Sequence, residues 1–220
     1  MSYFPSEQAR TGERGQLASG LLGKVFGLLA FAMAFCVVGG YVGAQLSTAW
    51  FLPIMVGYFG LFFATSALRE REGINLILLY AFAFFTGLLV GPIIGSYVSD
   101  GAGGVVLQAA AITGVMTAGL SAFALTTKRD LSGIAPYLFV ALLGLIVTMI
   151  VNIFVGGTVL STAIGWVGAL VFSGLLLVHV QRAKYAPDTM GNAVILTLGI
   201  FLDVVNLFLM ILRILQGGRR

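Results

Sequence analysis

Residues 192–215 read NAVILTLGIFLDVVNLFLMILRIL, an apolar run long enough to cross a bilayer, with Asp203 near its middle. A carboxylate at that depth costs about 2.5–3.5 kcal/mol on insertion scales, and such groups face the interior of a helix bundle and find a partner there. Asn206, three residues on, shares the helical face of Asp203 and can offer an amide hydrogen bond, but no counter-charge. The stretch therefore predicts a membrane helix whose acid faces the interior of a bundle, and it sets a search for a cation elsewhere in the chain.

The composition agrees. Of 220 residues, 59% are hydrophobic and 9% charged, with a mean hydropathy of +1.05, far from the quarter-charged make-up of a water-soluble domain. The thirty glycines suit membrane helices that approach closely. The net charge of +4 is carried in short clusters between apolar runs, which reports orientation in a bilayer and not nucleic-acid binding. Cys36, the single cysteine, falls inside an apolar run and reads as packing.

Seven runs are long enough to cross: residues 22–46, 50–68, 74–98, 105–125, 133–155, 159–180 and 192–215. The first carries Gly39 and Gly43, and the third carries Gly87, Gly91 and Gly95 at four-residue steps, spaced for close helix contact. Pro92 within the third is expected to free a backbone carbonyl. Asp130 or Ser132 is placed to cap the fifth. The predicted fold is therefore all-α, a polytopic membrane bundle of seven helices over residues 21–216. A polar cytosolic tail over residues 1–20 precedes it, without the apolar core of a signal peptide, and a short basic tail over residues 217–220 follows.

Arg10, Arg14 and Lys24, then Arg69 and Arg71, then Lys128 and Arg129, then Arg182 and Lys184 fall on one side if every run crosses. The opposite connections, residues 45–48, 99–104 and 156–157, hold no Lys or Arg. The amino terminus is thereby expected in the cytoplasm. Arg213, Arg219 and Arg220 at the far end pull the other way, which leaves a re-entrant last segment as the alternative to a full crossing.

Residues 201–209, Phe-Leu-Asp-Val-Val-Asn-Leu-Phe-Leu, followed by Leu212-Arg213-Ile214-Leu215, closely resemble the motif that ends proteins of the Bax inhibitor-1 family. Further matches run in order: Lys24-Val25-Phe26, Thr86-Gly87 with Gly91-Pro92-Ile93, Thr126-Thr127-Lys128-Arg129-Asp130-Leu131-Ser132, Asn152-Ile153-Phe154 and Phe172-Ser173-Gly174. The short leader resembles the bacterial branch. The resemblance implies six helices around a central seventh, in the bacterial inner (plasma) membrane. It also implies a pH-sensitive leak of calcium or another cation, in which acids on the last two helices share a proton and are held by an arginine at the end of the second. Carried over, the last-helix acid is Asp203 and the arginine is Arg69. Where the family has Tyr-Asp-Thr-Gln, this chain has Val178-His179-Val180-Gln181, so its only histidine replaces the second acid.

Two neighbouring carboxylates resist joint ionisation, which is what makes such a pair sense protons. A histidine opposite Asp203 turns that repulsion into attraction, and histidine is the side chain that ordinarily changes charge between pH 5 and 8. The expected gate is thus Asp203, His179 and Arg69, with Asn206 in support, acting as a proton-dependent latch between the last two helices. With Arg69 beside it the cluster has zero or positive net charge, a poor resting place for a divalent cation. His179 and Arg69 have bland readings too, as headgroup anchors, and Asn152 and Gln108 as interhelical hydrogen-bonders.

No enzyme is expected. Ser121 and His179 superficially suggest an intramembrane serine protease, but Ser121 is followed by Ala122 and Phe123, without the glycine a nucleophile elbow needs. No lysine lies in the last run for a retinal, and one histidine, one cysteine and one buried acid on separate segments make no metal site. No cofactor is expected. The rival to a leak is a modulator of a membrane-anchored AAA quality-control protease, a role that some bacterial proteins of the family it resembles have, with the polar leader as an unstructured handle.

Overall fold

The computed structural model describes residues 7–71 and 73–217, which contain seven α-helices and no strand. They are α1 (Glu7–Gly43), α2 (Phe51–Ala67), α3 (Ile74–Ser99), α4 (Gly103–Thr126), α5 (Ala135–Val155), α6 (Thr158–Tyr185) and α7 (Met190–Gly217). Each contains a stretch long and apolar enough to cross a membrane. Helices answer the need to satisfy every backbone N–H and C=O internally where lipid offers no partner. The expected runs match these helices to within a few residues except at two places.

Helix α1 reaches back to Glu7 although its apolar span is Gly20–Gly43. Much of the leader read as an unstructured tail is therefore helical, because a formed helix extends at little cost through residues such as Glu, Gln and Ala. The start of the leader, Glu72, and the tail arginines Arg219 and Arg220 lie outside the described residues. Helix α6 runs on to Tyr185 and so includes Gln181, Arg182 and Lys184. Helix α7, with 28 residues, is about 42 Å long at 1.5 Å per residue, one continuous helix long enough to cross and not a hairpin.

Helix α7 packs on α1, α3, α4 and α6, whereas α2 packs on α3 and α5 on α6. The most apolar window of α7 is 56% buried against 6% for α5, which makes α7 the central helix. It joins two core clusters, one holding Val25, Phe82, Val180 and Phe201, the other Val105, Leu145, Phe172 and Met210.

The α1–α3 contact is a glycine seam. A methyl group added at Gly39 would meet the backbone carbonyl of Phe84, and one at Gly87 that of Cys36. Only hydrogen at these positions lets the backbones touch. Helix α3 is unbroken across Pro92. The carbonyl that loses its amide partner there is that of Leu88, four residues earlier, and it lies against Gly43 of α1.

Candidate functional site

Asp203 sits at the middle of α7 and is 3% exposed. Its Oδ2 lies 2.5 Å from Nδ1 of His179 on α6, and with the carboxylate ionised the ring N–H is the donor. The histidine side chain retains 25% exposure, so the pair is closed on the Asp203 side and open on the other. Gly199, one turn before Asp203, makes room for the imidazole: a Cβ there would stand 3.2 Å from His179 Nε2. This interhelical contact between residues 24 apart is the one expected from the sequence.

Both residues line a cavity of about 790 Å³ between α2, α5, α6 and α7. It exists because α2 leans on α3 and α5 on α6, leaving a gap in front of α7. Its other polar lining comes from Tyr58, Ser132, Arg182 and Asn206, among many apolar side chains.

Two expected partners are not where the sequence reading put them. Arg69 lies beyond the end of α2, its side chain 63% exposed and its guanidinium 3.9 Å from Glu70. It does not line the Asp203 cavity, because it projects from a charged turn past the helix end and not from the helix face. The arginine that lines the cavity is Arg182, an exposed residue one turn beyond His179 on α6. Read from sequence, Arg182 was only a charge marking the cytoplasmic side. Its three-residue spacing from His179 was the available signal. Asn206 lines the cavity, but its amide donates to the carbonyl of Leu202 on its own helix at 2.8 Å and not to Asp203.

His179 is held in place by contacts that the sequence did not announce. Gln181, buried, donates through Nε2 to the Arg129 carbonyl at 2.8 Å and accepts at Oε1 from the Leu131 N–H at 2.7 Å. Lys184 Nζ donates to the Leu125 carbonyl at 2.7 Å. These bonds pin the end of α6 to the α4–α5 connection. Within that connection Asp130 Oδ1 accepts from the Ser132 N–H at 2.8 Å, which holds the Asp130 carboxyl below its ordinary value. Neither Asp130 nor Ser132 caps α5 as expected: the positions ahead of the short helical turn Ser132–Ile134 and of α5 are Leu131 and Ile134, neither with a side-chain cap bond, and Asp130 instead closes a local turn onto Ser132. On the neighbouring connection Lys24 Nζ pairs with Asp188 Oδ1 at 2.9 Å, tying α1 to the α6–α7 loop.

Ser121, weighed as a nucleophile, is buried on α4 outside the cavity, and His179 Nδ1 is taken by Asp203. Among the described residues no three His, Cys, Asp or Glu side chains gather as metal ligands.

Residues 18–220 match the family model described as "Inhibitor of apoptosis-promoting Bax1". The chain belongs to the Bax inhibitor-1 family. Relatives span it almost end to end: an uncharacterized protein of Campylobacter jejuni is 31% identical, over 99% of this chain and 98% of that one. An uncharacterized membrane protein of Vibrio cholerae is 34% identical over 74% of this chain and 73% of its own. The protein of Escherichia coli named modulator of FtsH protease YccA is 29% identical over 91% of both. Within this family chain, His179 on α6 and Asp203 on α7 are the two groups that meet in the cavity.

Proposed function

We propose that the protein is a multi-pass inner-membrane protein with its amino terminus in the cytoplasm, in which His179 and Asp203 form a proton-dependent latch between α6 and α7 that controls a slow cation leak. The observation that carries this reading is the 2.5 Å contact on the wall of a cavity of about 790 Å³. Protonation of either member changes the bond. A neutral Asp203 loses its attraction for an imidazolium, and a charged imidazole draws an ionised Asp203 closer.

Arg182 is the positive group of this gate. With Asp203 ionised and His179 neutral, the cavity's charged lining sums to zero, and with His179 charged it is positive. A cation therefore meets no net attraction at rest, and one carboxylate already bonded to an imidazole is a poor calcium site. Flux requires α6 and α7 to part and free Asp203, so the leak is small and rises when the latch opens. Calcium is the first ion to test, on the family resemblance.

The test is ion flux into liposomes across pH 5–8 for the wild type, His179→Ala, His179→Asp, Arg182→Ala and Arg69→Ala. The His179 variants and Arg182→Ala are expected to change the pH profile, with Arg69→Ala close to wild type. Identical flux in the wild type and both His179 variants refutes the latch.

A second reading is favoured by the name of the Escherichia coli relative: the protein modulates a membrane-anchored quality-control protease of the FtsH type. The leader ahead of Gly20 is the natural handle. Deleting it should abolish association with the protease and leave flux intact, whereas unchanged association removes this reading.

A further inference from the structure

At the opposite end of the bundle from the charged connections, α7 carries a half-buried cation. Arg213 lies ten residues beyond Asp203, about 15 Å along the helix. Its guanidinium borders a second cavity, of about 420 Å³, together with Asn152 of α5, Thr158, Ser161 and Thr162 of α6 and Gln216. The guanidinium nitrogen Nη1 is shielded from solvent and has no hydrogen-bond partner among the described residues, and the same holds for the side-chain Oδ1 of Asn152. A guanidinium presents donors in a rigid fork, and leaving one buried without an acceptor is costly. That condition applies to Nη1 alone; Arg213 as a whole is half-buried and lines a polar recess with no acidic side chain on its walls.

The rest of the recess is built from donors. Thr158 opens α6 after Gly157, and this 28-residue helix has no side-chain cap, so its first-turn N–H groups point out at that end. The positive end of its dipole adds to the guanidinium charge. The hydroxyls of Thr158 and Ser161 border the same space, while that of Thr162 is occupied with the Thr158 carbonyl at 2.8 Å. The Asn152 amide can turn to present its NH₂ in place of its oxygen. Gly156 and Gly157 both have positive φ, 67° and 101°, so the chain reverses tightly between α5 and α6 and brings these groups together.

We propose that this recess binds a phosphate group, with Arg213 as the bidentate anchor and Ser161 and Thr158 as neutral donors. Two sources carry that chemistry at a membrane surface, the headgroup of an anionic phospholipid and free inorganic phosphate. Arg213 lies about one turn from the end of α7 (Met190–Gly217), which makes a headgroup the first of the two sources to test. The site is separate from the His179–Asp203 latch, and its failure would leave that latch untouched.

The experiment uses the full-length protein in a neutral, phosphate-free detergent. Inorganic phosphate and dihexanoyl phosphatidylglycerol are titrated separately against thermal unfolding and ³¹P resonance broadening, with chloride at matched ionic strength as the blank. Saturable stabilisation of the wild type is expected. Arg213→Gln should weaken binding at least about tenfold, the scale of a charge-assisted bond. Arg213→Lys should keep part of the affinity, since it retains the charge and loses the fork. Ser161→Ala should weaken binding several-fold, and it remains informative if Arg213→Gln does not fold. Stabilisation by the lipid alone identifies a headgroup site, and stabilisation by both shows that free phosphate suffices. No saturable effect from either, or equal affinity in the wild type, Arg213→Gln and Ser161→Ala, overturns the proposal.

Discussion

His179→Ala removes the one hydrogen bond made to the carboxylate of Asp203 among the described residues. The loss is worth estimating because Asp203, at 3% exposure, cannot turn to water. A buried polar group stripped of its partner costs about 1–3 kcal/mol, more when charged, and deleting one member of a fully buried ion pair costs about 3–5 kcal/mol. The imidazole leaves a quarter of its surface in the cavity, and water can follow into the vacated space. That places the expected destabilisation near the lower range, about 2 kcal/mol. Asp203→Ala should cost less, about 1 kcal/mol, since the freed histidine already borders the cavity. The interaction itself is isolated by the double variant. A coupling energy of about 1–1.5 kcal/mol is expected, within the upper part of what interhelical hydrogen bonds show in membranes. The assay is reversible unfolding of the four proteins in mixed micelles at neutral pH. A coupling energy below about 0.3 kcal/mol refutes the claim that these groups hold α6 to α7.

Gly87→Leu should part α1 from α3, because its side chain has only the Cys36 carbonyl to enter. A loss above about 3 kcal/mol, or no folded protein, is expected, and wild-type unfolding would contradict the glycine seam. Gln181→Ala strips a partner from both the Arg129 carbonyl and the Leu131 N–H. It should cost about 1–2 kcal/mol and speed amide exchange at Leu131, and an unaltered exchange rate counts against the pinning of α6. Asp130, whose native carboxyl is held low by the Ser132 N–H, contributes this turn hydrogen bond fully above the ordinary carboxylate range and loses it only as the pH falls through the lowered native value. Protection of the Ser132 amide, its exchange rate relative to the intrinsic rate at each pH, should therefore hold at neutral pH and fall under acid. An Asp130→Asn variant should show no such pH step.

How far the site could be read in advance varied residue by residue. Asp203 announced itself, since an acid in the middle of an apolar run has few options. His179 became visible as its partner because it occupies the position of a family acid. Arg69 and Arg182 could not be told apart by sequence, as both follow a membrane run in a charged cluster. What separates them is where each helix stops: α2 ends at Ala67, before Arg69, while α6 continues past Arg182 to Tyr185. A side chain on a continuing helix keeps its angular position relative to His179, whereas one beyond the last turn does not. Gln181 was equally silent, because its partners, Arg129 and Leu131, lie fifty residues away along the chain.

While the pairing of α1 with α3 came from the structure, the sequence by itself determined seven apolar spans, glycine faces on the first and third built for close contact, and the burial of an acid in the last span. Each follows from a local cause: a bilayer permits only backbone that satisfies itself, glycine admits close approach, and a charge shuns lipid. Tertiary structure alone decided which cation shares the cavity with that acid, that Asn206 turns back to its own helix, and that Arg213 faces an uncapped helix start. Those outcomes depend on the rotation and end point of helices brought together from distant parts of the chain, which no local pattern encodes.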